Sequence, residues 1–101
     1  MIDFASFALS FPGTEEKPHF ERRSFRIVNR RIFATLHESS HTANLRLIPE
    51  DQQTFCDFGP SVYPVPNKSG EQGWTTFELN GVPEELIQDA LEAAYNYARE
   101  K

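Results

Sequence analysis

Three short segments between Arg22 and Leu47 alternate apolar with polar residues and are separated by polar turns. Alternation with a period of two is typical of β-strands that bury one face, and short connections make consecutive strands antiparallel. Asn29 and Arg30 occupy the first turn, where Asn tolerates a positive φ angle. The predicted buried face carries the apolar residues of the three strands: Phe25, Ile27, Ile32, Ala34, Leu36, Ala43, Leu45 and Leu47. The sequence therefore predicts a three-stranded antiparallel unit with one apolar face.

Three segments outside this unit predict helices. Residues 2–9 have apolar positions at helical spacing, and Pro12 and Gly13 end that helix. Pro49 begins a second helix, because Pro suits the first helical position and the acidic residues after it suit the positive end of the helix dipole. Residues 83–101 show the longest amphipathic pattern, which predicts a C-terminal helix. Its apolar stripe consists of Leu86, Ile87, Ala90, Leu91, Ala94 and Ala98.

Prolines and glycines divide the rest of the chain. Residues 14–19 have no periodicity and include Pro18, which predicts a surface connection. Residues 62–65 fit a short edge strand, residues 67–73 have the composition of a flexible loop, and residues 74–79 alternate as a further strand. Together these elements predict an α+β fold in the order α-β-β-β-α-β-β-α. Its two layers would be an antiparallel sheet of about five strands and helices on one face of that sheet.

Length and composition limit the class of protein. The chain has 101 residues, enough for one hydrophobic core, so we expect residues 1–101 to form a single domain. The single cysteine, Cys56, excludes an internal disulfide and a CxxC site, and its apolar neighbours favour a small buried residue over a catalytic thiol. The N-terminal residues lack the positive charge of a secretory leader, and no apolar run reaches membrane-spanning length. We therefore expect a cytoplasmic protein with no membrane partner.

The second face of the predicted sheet combines aromatic, basic and polar side chains. If the strand registers hold, it carries Arg26, Phe33, Thr35, His37, Asn44, Arg46, Trp74 and Thr76. Rings on an exposed sheet face can stack on a partner, and arginine can pair with phosphate or carboxylate. This composition predicts a contact surface. An error of one residue in the register of the strand would instead place Trp74 in the core.

Positive charge is concentrated in one part of an acidic chain. The formal net charge is −5, whereas residues 17–31 contain six Lys or Arg residues and one acidic residue, a local charge of +5. One interpretation is a solvated surface whose arginines pair with acidic residues of the last helix, including Glu84, Glu85, Asp89 and Glu92. The other is a surface that binds phosphates. Its candidate residues are Arg22, Arg23, Arg26, Arg30, Arg31, Arg46, Lys68 and Trp74.

The string HESSH, from His37 to His41, matches the HExxH pattern of zinc proteases. That chemistry requires a helix, because the helix turns both histidines to one face to bind zinc while the Glu acts as general base. Here the string follows the alternating pattern of one strand and precedes that of the next. A polar hairpin turn is therefore favoured over a zinc site, and no third ligand follows at the expected spacing.

Several motifs distributed over nearly the whole chain are specific in combination. They are FPGTEEKPHF, RRSFRI, RIFATLHE, HTANLRLIPEDQ and VYPVPNKSGEQGWTTFEL, followed by the terminal helix. Together they resemble the MmcQ/YjbR family of small bacterial proteins. The resemblance implies a fold similar to type III secretion chaperones, of a double-wing DNA-binding type related to frataxin. It also implies that the family's basic positions fall on Arg31 and Arg46 and that its tryptophan falls on Trp74.

Three functional hypotheses follow. The first is a non-enzymatic domain that binds DNA through the basic residues and Trp74. The second is a protein-interaction module, resembling secretion chaperones, that docks a partner or a second copy on the exposed sheet face or a sheet edge. The third is a zinc hydrolase centred on His37 and His41. We expect no cofactor and a monomer or weak homodimer, and iron binding does not carry over from frataxins because the first helix lacks their acidic ridge.

Overall fold

Six antiparallel strands form one open sheet in the computed structural model, which describes residues 3–100. The strands are β1 (Thr14–His19), β2 (Arg22–Ile27), β3 (Ile32–His37), β4 (Thr42–Arg46), β5 (Val62–Pro64) and β6 (Trp74–Glu78). Their order in the sheet is β1-β2-β3-β4-β6-β5. The first four strands pair in chain order because their connections are short turns. The short strand β5 lies at an edge, as its prolines predicted.

Four α-helices and one 3₁₀ turn (Leu79–Gly81) complete the described part of the chain. The helices are α1 (Phe4–Leu9), α2 (Pro49–Cys56), α3 (Lys68–Glu71) and α4 (Glu84–Arg99). In α4, acidic residues occupy the first turn and Arg99 the last, which complements the helix dipole. All of its predicted apolar stripe is buried except Leu86, which is partly buried. The predicted α+β class, with helices against an antiparallel sheet, is confirmed.

The hydrophobic core lies between one face of the sheet and the helices. Phe4 of α1 meets Phe25 of β2 edge to face, with ring centroids 5.8 Å apart. On the same face, Phe55 of α2 meets Phe77 of β6 at 6.0 Å. Offset or edge-on aromatic pairs add to the stabilisation from burial. We call the opposite face of the sheet, away from these helices, the outer face.

Residues 14–19 form the edge strand β1, so the predicted surface connection is wrong. All six residues pair with β2, from Thr14 opposite Ile27 to His19 opposite Arg22. The strand carries no fully buried side chain, which explains why no apolar alternation marks it. Pro18 is tolerated because an edge strand leaves one row of backbone groups without a partner strand.

Two smaller differences concern the chain after α2 and the predicted order of elements. Residues 67–73, predicted as a flexible loop, contain α3, whose first turn is capped by the Asn67 side chain accepting from the Ser69 amide at 2.8 Å. Together, β1 and α3 change the order to α-β-β-β-β-α-β-α-β-α. The start of the predicted first helix at residue 2 lies outside the described residues.

Phe33 does not lie on the exposed face of the sheet, as the alternating pattern predicted. Phe25 faces Ala34 and Arg26 faces Ile32, so β3 contains one extra residue, Phe33, relative to β2. Such a β-bulge interrupts the regular alternation of side chains. Phe33 is completely buried and packs edge-on against Tyr95 of α4, with ring centroids 5.9 Å apart.

Candidate functional site

The outer face carries a row of polar side chains across the sheet. Residues opposite one another in antiparallel strands project to the same side. The row consists of Lys17, Ser24, Thr35, Asn44, Thr76 and Tyr63. Within it, the Thr76 hydroxyl donates to Asn44 Oδ1 at 2.8 Å. The predicted placement of Thr35, Asn44 and Thr76 on this face is confirmed.

An open groove of about 500 Å³ lies on this face, and we call it the outer groove. Its lining includes Phe20, Arg22, Thr35, His37, Asn44 and Trp74. This volume falls in the range of small-ligand sites, roughly 300–1,000 Å³. Thr35 belongs to the central strand β3 and is only 7% exposed, so it forms part of the floor.

Two residues that line the outer groove each have a buried polar atom without a hydrogen-bond partner. Among residues 3–100, the side-chain atoms in this state are Arg22 Nη1 and Thr35 Oγ1. Both residues line the outer groove, although they come from different strands. A buried polar atom without a partner costs about 1–3 kcal/mol, so such atoms are uncommon in folded proteins. Their coincidence in one groove marks it as a place where a polar ligand would be stabilised.

Two aromatic side chains accompany these polar atoms. Trp74, at the start of β6, is half-buried and lines the outer groove rather than the core. The strand therefore has the register that alternation predicts, without the shift of one residue that would bury Trp74. Phe20 is 95% exposed at the tip of the β1–β2 hairpin, where its φ angle is +58°. A positive φ is unusual for a bulky residue, but it is expected in a two-residue hairpin turn such as this one between β1 and β2. The groove therefore offers rings at its wall and at its rim.

The backbone around Trp74 is held from behind by Gln52 of α2. Gln52 Nε2 lies 3.0 Å from Gly70 O, 3.2 Å from Trp74 O and 3.1 Å from Thr75 Oγ1. A Cβ atom on Gly73 would lie 2.0 Å from Leu47 O, and Gly73 has a φ angle of +102°. Only glycine fits such a close approach at that φ. These contacts fix where β6 begins and therefore where the indole of Trp74 lies.

Carboxylates neutralise two of the predicted phosphate-binding arginines. Arg23 lies on the helix side, opposite Leu36, and its guanidinium pairs with Glu16 (2.6 Å) and with Glu38 (3.0 Å). The hydrogen bond from Arg23 holds the pKa of Glu16 below its usual value, and the same bond raises the pKa of Arg23. Arg26 pairs with Glu15 at 2.7 Å. In the described residues, the ion-pair partners come from β1 and the β3–β4 turn rather than from the last helix.

The remaining cations are distributed over several surfaces. Arg30 donates to the carbonyl of Arg99, at the end of α4, at 2.8 Å. Arg46 faces Trp74 across β4 and β6, and its guanidinium lies 5.6 Å from the centre of the Tyr97 ring.

Arg31 is exposed. Lys68 is exposed in α3, next to Ser69, which lines the outer groove. Of the eight predicted site residues, the outer groove itself contains Arg22 and Trp74.

The HESSH string forms the turn between β3 and β4, as its flanking patterns predicted. His37 ends β3 and lines the outer groove, whereas His41 lines a separate depression on the helix side beside Arg23. His37 Nδ1 lies 2.6 Å from Ser40 Oγ. The helical HExxH arrangement is therefore absent at residues 37–41. The described residues also contain no cluster of three or more His, Cys, Asp or Glu suited to a metal ion.

Cys56 is partly buried at the end of α2 and packs against the core. Burial raises the pKa of its thiol, with a smaller contribution from Asp57. A raised pKa is the opposite of what activates a catalytic cysteine.

Across residues 3–100, no helix has both the length and the apolar character needed to cross a membrane.

Comparison with known proteins identifies the family. The YjbR family model matches residues 9–97. This chain belongs to the YjbR family. The crystal structure of Deinococcus radiodurans protein DR2400, described with the family-model domain DUF419, is similar with a TM-score of 0.85 and 24% identity, over 98% of this chain and 78% of that chain. A comparison with curated proteins found no match.

A second solved structure has the same fold. This Pseudomonas syringae protein, a target of the Northeast Structural Genomics Consortium, aligns with a TM-score of 0.71 and 19% identity, over 98% of this chain and all of that chain. At such identities the likeness establishes the fold alone, so function must be argued from the site.

Sequence reasoning missed two contributors to the site, Phe20 and Gln52. Phe20 lies between the polar residues His19 and Glu21, directly after the segment predicted as a connection. An isolated aromatic residue in a polar segment was the available signal, and it becomes meaningful only once β1 and β2 are known to form a hairpin. Gln52 carried no signal in the sequence, because its acceptors lie 18 to 23 residues away.

Proposed function

We propose that this YjbR-family protein is a non-enzymatic domain that binds DNA through the outer groove. The observation that carries the proposal is the combination of Trp74 with Arg22 in one groove on an otherwise open sheet face. Aromatic rings on such a face stack on bases of any sequence, and arginine neutralises phosphates. Within the described residues, Arg22 makes no ion pair that would compete with a phosphate.

The distribution of ion pairs supports this surface despite the net charge of −5. The carboxylates of Glu16 and Glu38 are engaged by Arg23 on the helix side, so they do not neutralise Arg22. Arg46 faces Trp74 across neighbouring strands, but its guanidinium lies against Tyr97 of α4, so Arg22 is the cation that the groove itself provides. A local positive surface can attract a polyanion to a protein whose total charge is negative.

Titration of labelled single-stranded and duplex DNA at several salt concentrations tests the proposal. We expect binding near 50 mM salt, with log affinity falling linearly as log salt concentration rises, because bound phosphates release counterions. Arg22→Gln should weaken binding and reduce the salt slope by about 0.7 to 0.9, the contribution of one phosphate contact. Arg30→Gln is the matched control, because Arg30 contacts the end of α4 and does not line the groove.

Two results would contradict DNA binding by the outer groove. One is the absence of binding to either DNA near 50 mM salt, and the other is binding whose affinity does not change with salt. Equal losses in Arg22→Gln and Arg30→Gln would also reject the groove as the contact surface, because diffuse attraction does not distinguish the two arginines.

A second candidate, docking of a protein partner, is favoured by one observation. Phe20 exposes 95% of its surface at the hairpin tip, and exposed aromatic residues are enriched at protein interfaces. Both sheet edges are poor sites for strand addition, because β1 contains Pro18 and β5 has three residues ending in Pro64. A partner would therefore dock on the outer face.

The two candidates differ in their response to charge. Partner capture or self-association should survive the charge reversal Arg22→Glu, which should abolish DNA binding, and should be lost in Phe20→Ala. Sedimentation of the wild type and of Phe20→Ala would measure self-association directly. A monomer in both, together with partner capture unaffected by Phe20→Ala, would remove this second candidate.

A further inference from the structure

The two unpartnered atoms of the outer groove are both suited to an oxygen of a ligand. Arg22 Nη1 is a hydrogen-bond donor of a positively charged guanidinium, and the Thr35 hydroxyl can donate as well as accept. A phosphate oxygen accepts from both kinds of group, and hydrogen bonds from a charged guanidinium are among the strongest in proteins. These two atoms give the groove the hydrogen-bonding character of an oxyanion site, and the one carboxylate in its lining, Glu21, is exposed at the hairpin tip beside Phe20.

The position of Trp74 in the groove indicates a second property of the ligand, a group that can pack against the indole. Trp74 lines the same groove as Arg22 and Thr35. If these two residues hold the phosphate of a ligand, the group attached to that phosphate lies near the indole. A planar base attached to a phosphate satisfies this requirement, since bases stack on indole rings. Asn44 Oδ1 and His37, which also line the groove, add polar atoms that can meet the edge of a base.

We infer that the outer groove is a subsite for one nucleotide, with its phosphate on Arg22 and Thr35 and its base stacked on Trp74. The inference rests on the proposed function and restricts it to single-stranded nucleic acid. In a duplex the bases are paired and stacked inside the helix, and turning one outward costs a few kcal/mol. Thr35 Oγ1 and Arg22 Nη1 are both buried in the structure, so binding requires a movement of the half-exposed Arg22 side chain that opens both atoms to the phosphate.

The only tryptophan of the chain is Trp74, so its fluorescence reports the subsite directly. The probes are an oligothymidylate of about eight nucleotides, a blunt duplex of equal charge, thymidine monophosphate and inorganic phosphate. We expect the single strand to quench Trp74 fluorescence and to bind more tightly than the duplex. Quenching by the monophosphate, without binding of either DNA, would assign the subsite to free nucleotides and would reject DNA binding as the function.

Thr35→Val removes the hydroxyl and keeps a β-branched side chain that suits a strand. We expect it to weaken single-strand binding about tenfold or more, the value of one hydrogen bond to a charged group. Thr42→Val is the matched control and should bind as the wild type, because Thr42, at the start of β4, bonds to Ser40 of the preceding turn and does not line the groove. Arg22→Lys should also lose affinity, because lysine keeps the charge but not the planar donors.

The outcomes separate the subsite from the proposed function. If the single strand binds Thr35→Val and Arg22→Lys as tightly as it binds the wild type, the subsite is wrong while DNA binding stands. Tighter binding of the duplex than of the single strand would reject the subsite in the same way. If no probe binds or quenches near 50 mM salt, both the subsite and the proposed function are wrong.

Discussion

Glu16 of β1 holds Arg23 of β2 through two hydrogen bonds, from Nε to Oε2 at 2.6 Å and from Nη2 to Oε1 at 2.9 Å. A fork of this kind is the strongest geometry for an arginine–carboxylate pair. It removes Arg23 from the set of cations that a phosphate could use and leaves Arg22, the next residue toward the N-terminus, facing the outer groove. Two adjacent arginines therefore have different roles because they project from opposite faces of one strand.

Glu16→Gln should reduce the dependence of stability on acid pH. Arg23 holds the pKa of Glu16 below its usual value, so the ionised carboxyl stabilises the fold above the unfolded-state pKa and this contribution is lost as pH falls through the folded-state pKa. The wild type should lose stability as the pH falls below the unfolded-state pKa of about 4.3, and the variant should lose less. The difference should stay below about 1 kcal/mol, because both side chains are partly exposed to solvent.

Urea unfolding at a series of pH values measures this effect. Glu21→Gln is a suitable control, since Glu21 is an exposed carboxylate of the adjacent turn that forms no ion pair with the described residues. Parallel stability curves for Glu16→Gln and the wild type would mean that the pair makes no net contribution in solution.

A pair of phenylalanine variants tests the β-bulge of β3. Phe33→Ala should lower the free energy of unfolding by about 3–5 kcal/mol, because Phe33 is fully buried against Tyr95. Phe20→Ala should change it by less than about 0.5 kcal/mol, because the Phe20 side chain is almost completely exposed. Chemical denaturation of both variants makes the comparison. Similar small losses in the two would place Phe33 on the exposed face and remove the bulge.

Thr35→Val should stabilise the protein while it weakens nucleic-acid binding. The variant eliminates a buried hydroxyl that has no partner, and replacing such a group by an apolar one is neutral or favourable, by up to about 1–3 kcal/mol. Thermal unfolding of the free protein provides the measurement. A loss of stability would show that the Thr35 hydroxyl has a structural partner, and Thr35 would then lose its role in the subsite.

Gly73→Ala should be more destabilising than Gly13→Ala. Both glycines have a positive φ angle, which costs an L-residue roughly 1–3 kcal/mol. Only at Gly73 would the new Cβ meet a backbone oxygen, 2.0 Å away at Leu47, whereas at Gly13 the nearest atom is 3.9 Å away. The fluorescence maximum of Trp74 should also shift in Gly73→Ala alone. Equal melting temperatures for the two variants would show that β4 and β6 approach each other less closely.

The elements that depend on local pattern could be predicted from the sequence. Alternation identified β2, β4 and β6, and helical spacing identified α4, because each of these elements buries one face against the core. The family motifs agreed with this arrangement. Trp74 was placed on the exposed side of its strand for the same reason, and the structure places it in the outer groove.

Strand β1 could not be found in this way, because it gains its structure from pairing with β2 rather than from burial of its own side chains. Missing it had a direct effect on the predicted site. The carboxylates of Glu15 and Glu16 come from that strand, and they neutralise Arg26 and Arg23. The charge of a sequence segment therefore overstated the number of arginines that face a ligand.

The position of Phe33 depended on a single inserted residue. Alternation along β3 predicts that Phe33 and Thr35 share a face, and the bulge at Phe33 turns that side chain inward while Thr35 stays outside. A register shift of this kind depends on the packing of Phe33 against α4, which no local pattern records. Thr35, which forms the floor of the outer groove, lies on the face that alternation predicts, because it pairs with Ser24 outside the bulge.

Mapping of amide chemical shifts in ¹⁵N-labelled protein during titration with oligothymidylate tests the central claim most directly. If the outer groove is the contact surface, the largest changes should fall on Arg22, Thr35, His37, Asn44 and the indole of Trp74. Changes confined to the helix side, around Arg23 and Glu38, or to Arg30 and Arg31, with unchanged signals for the groove residues, would contradict it.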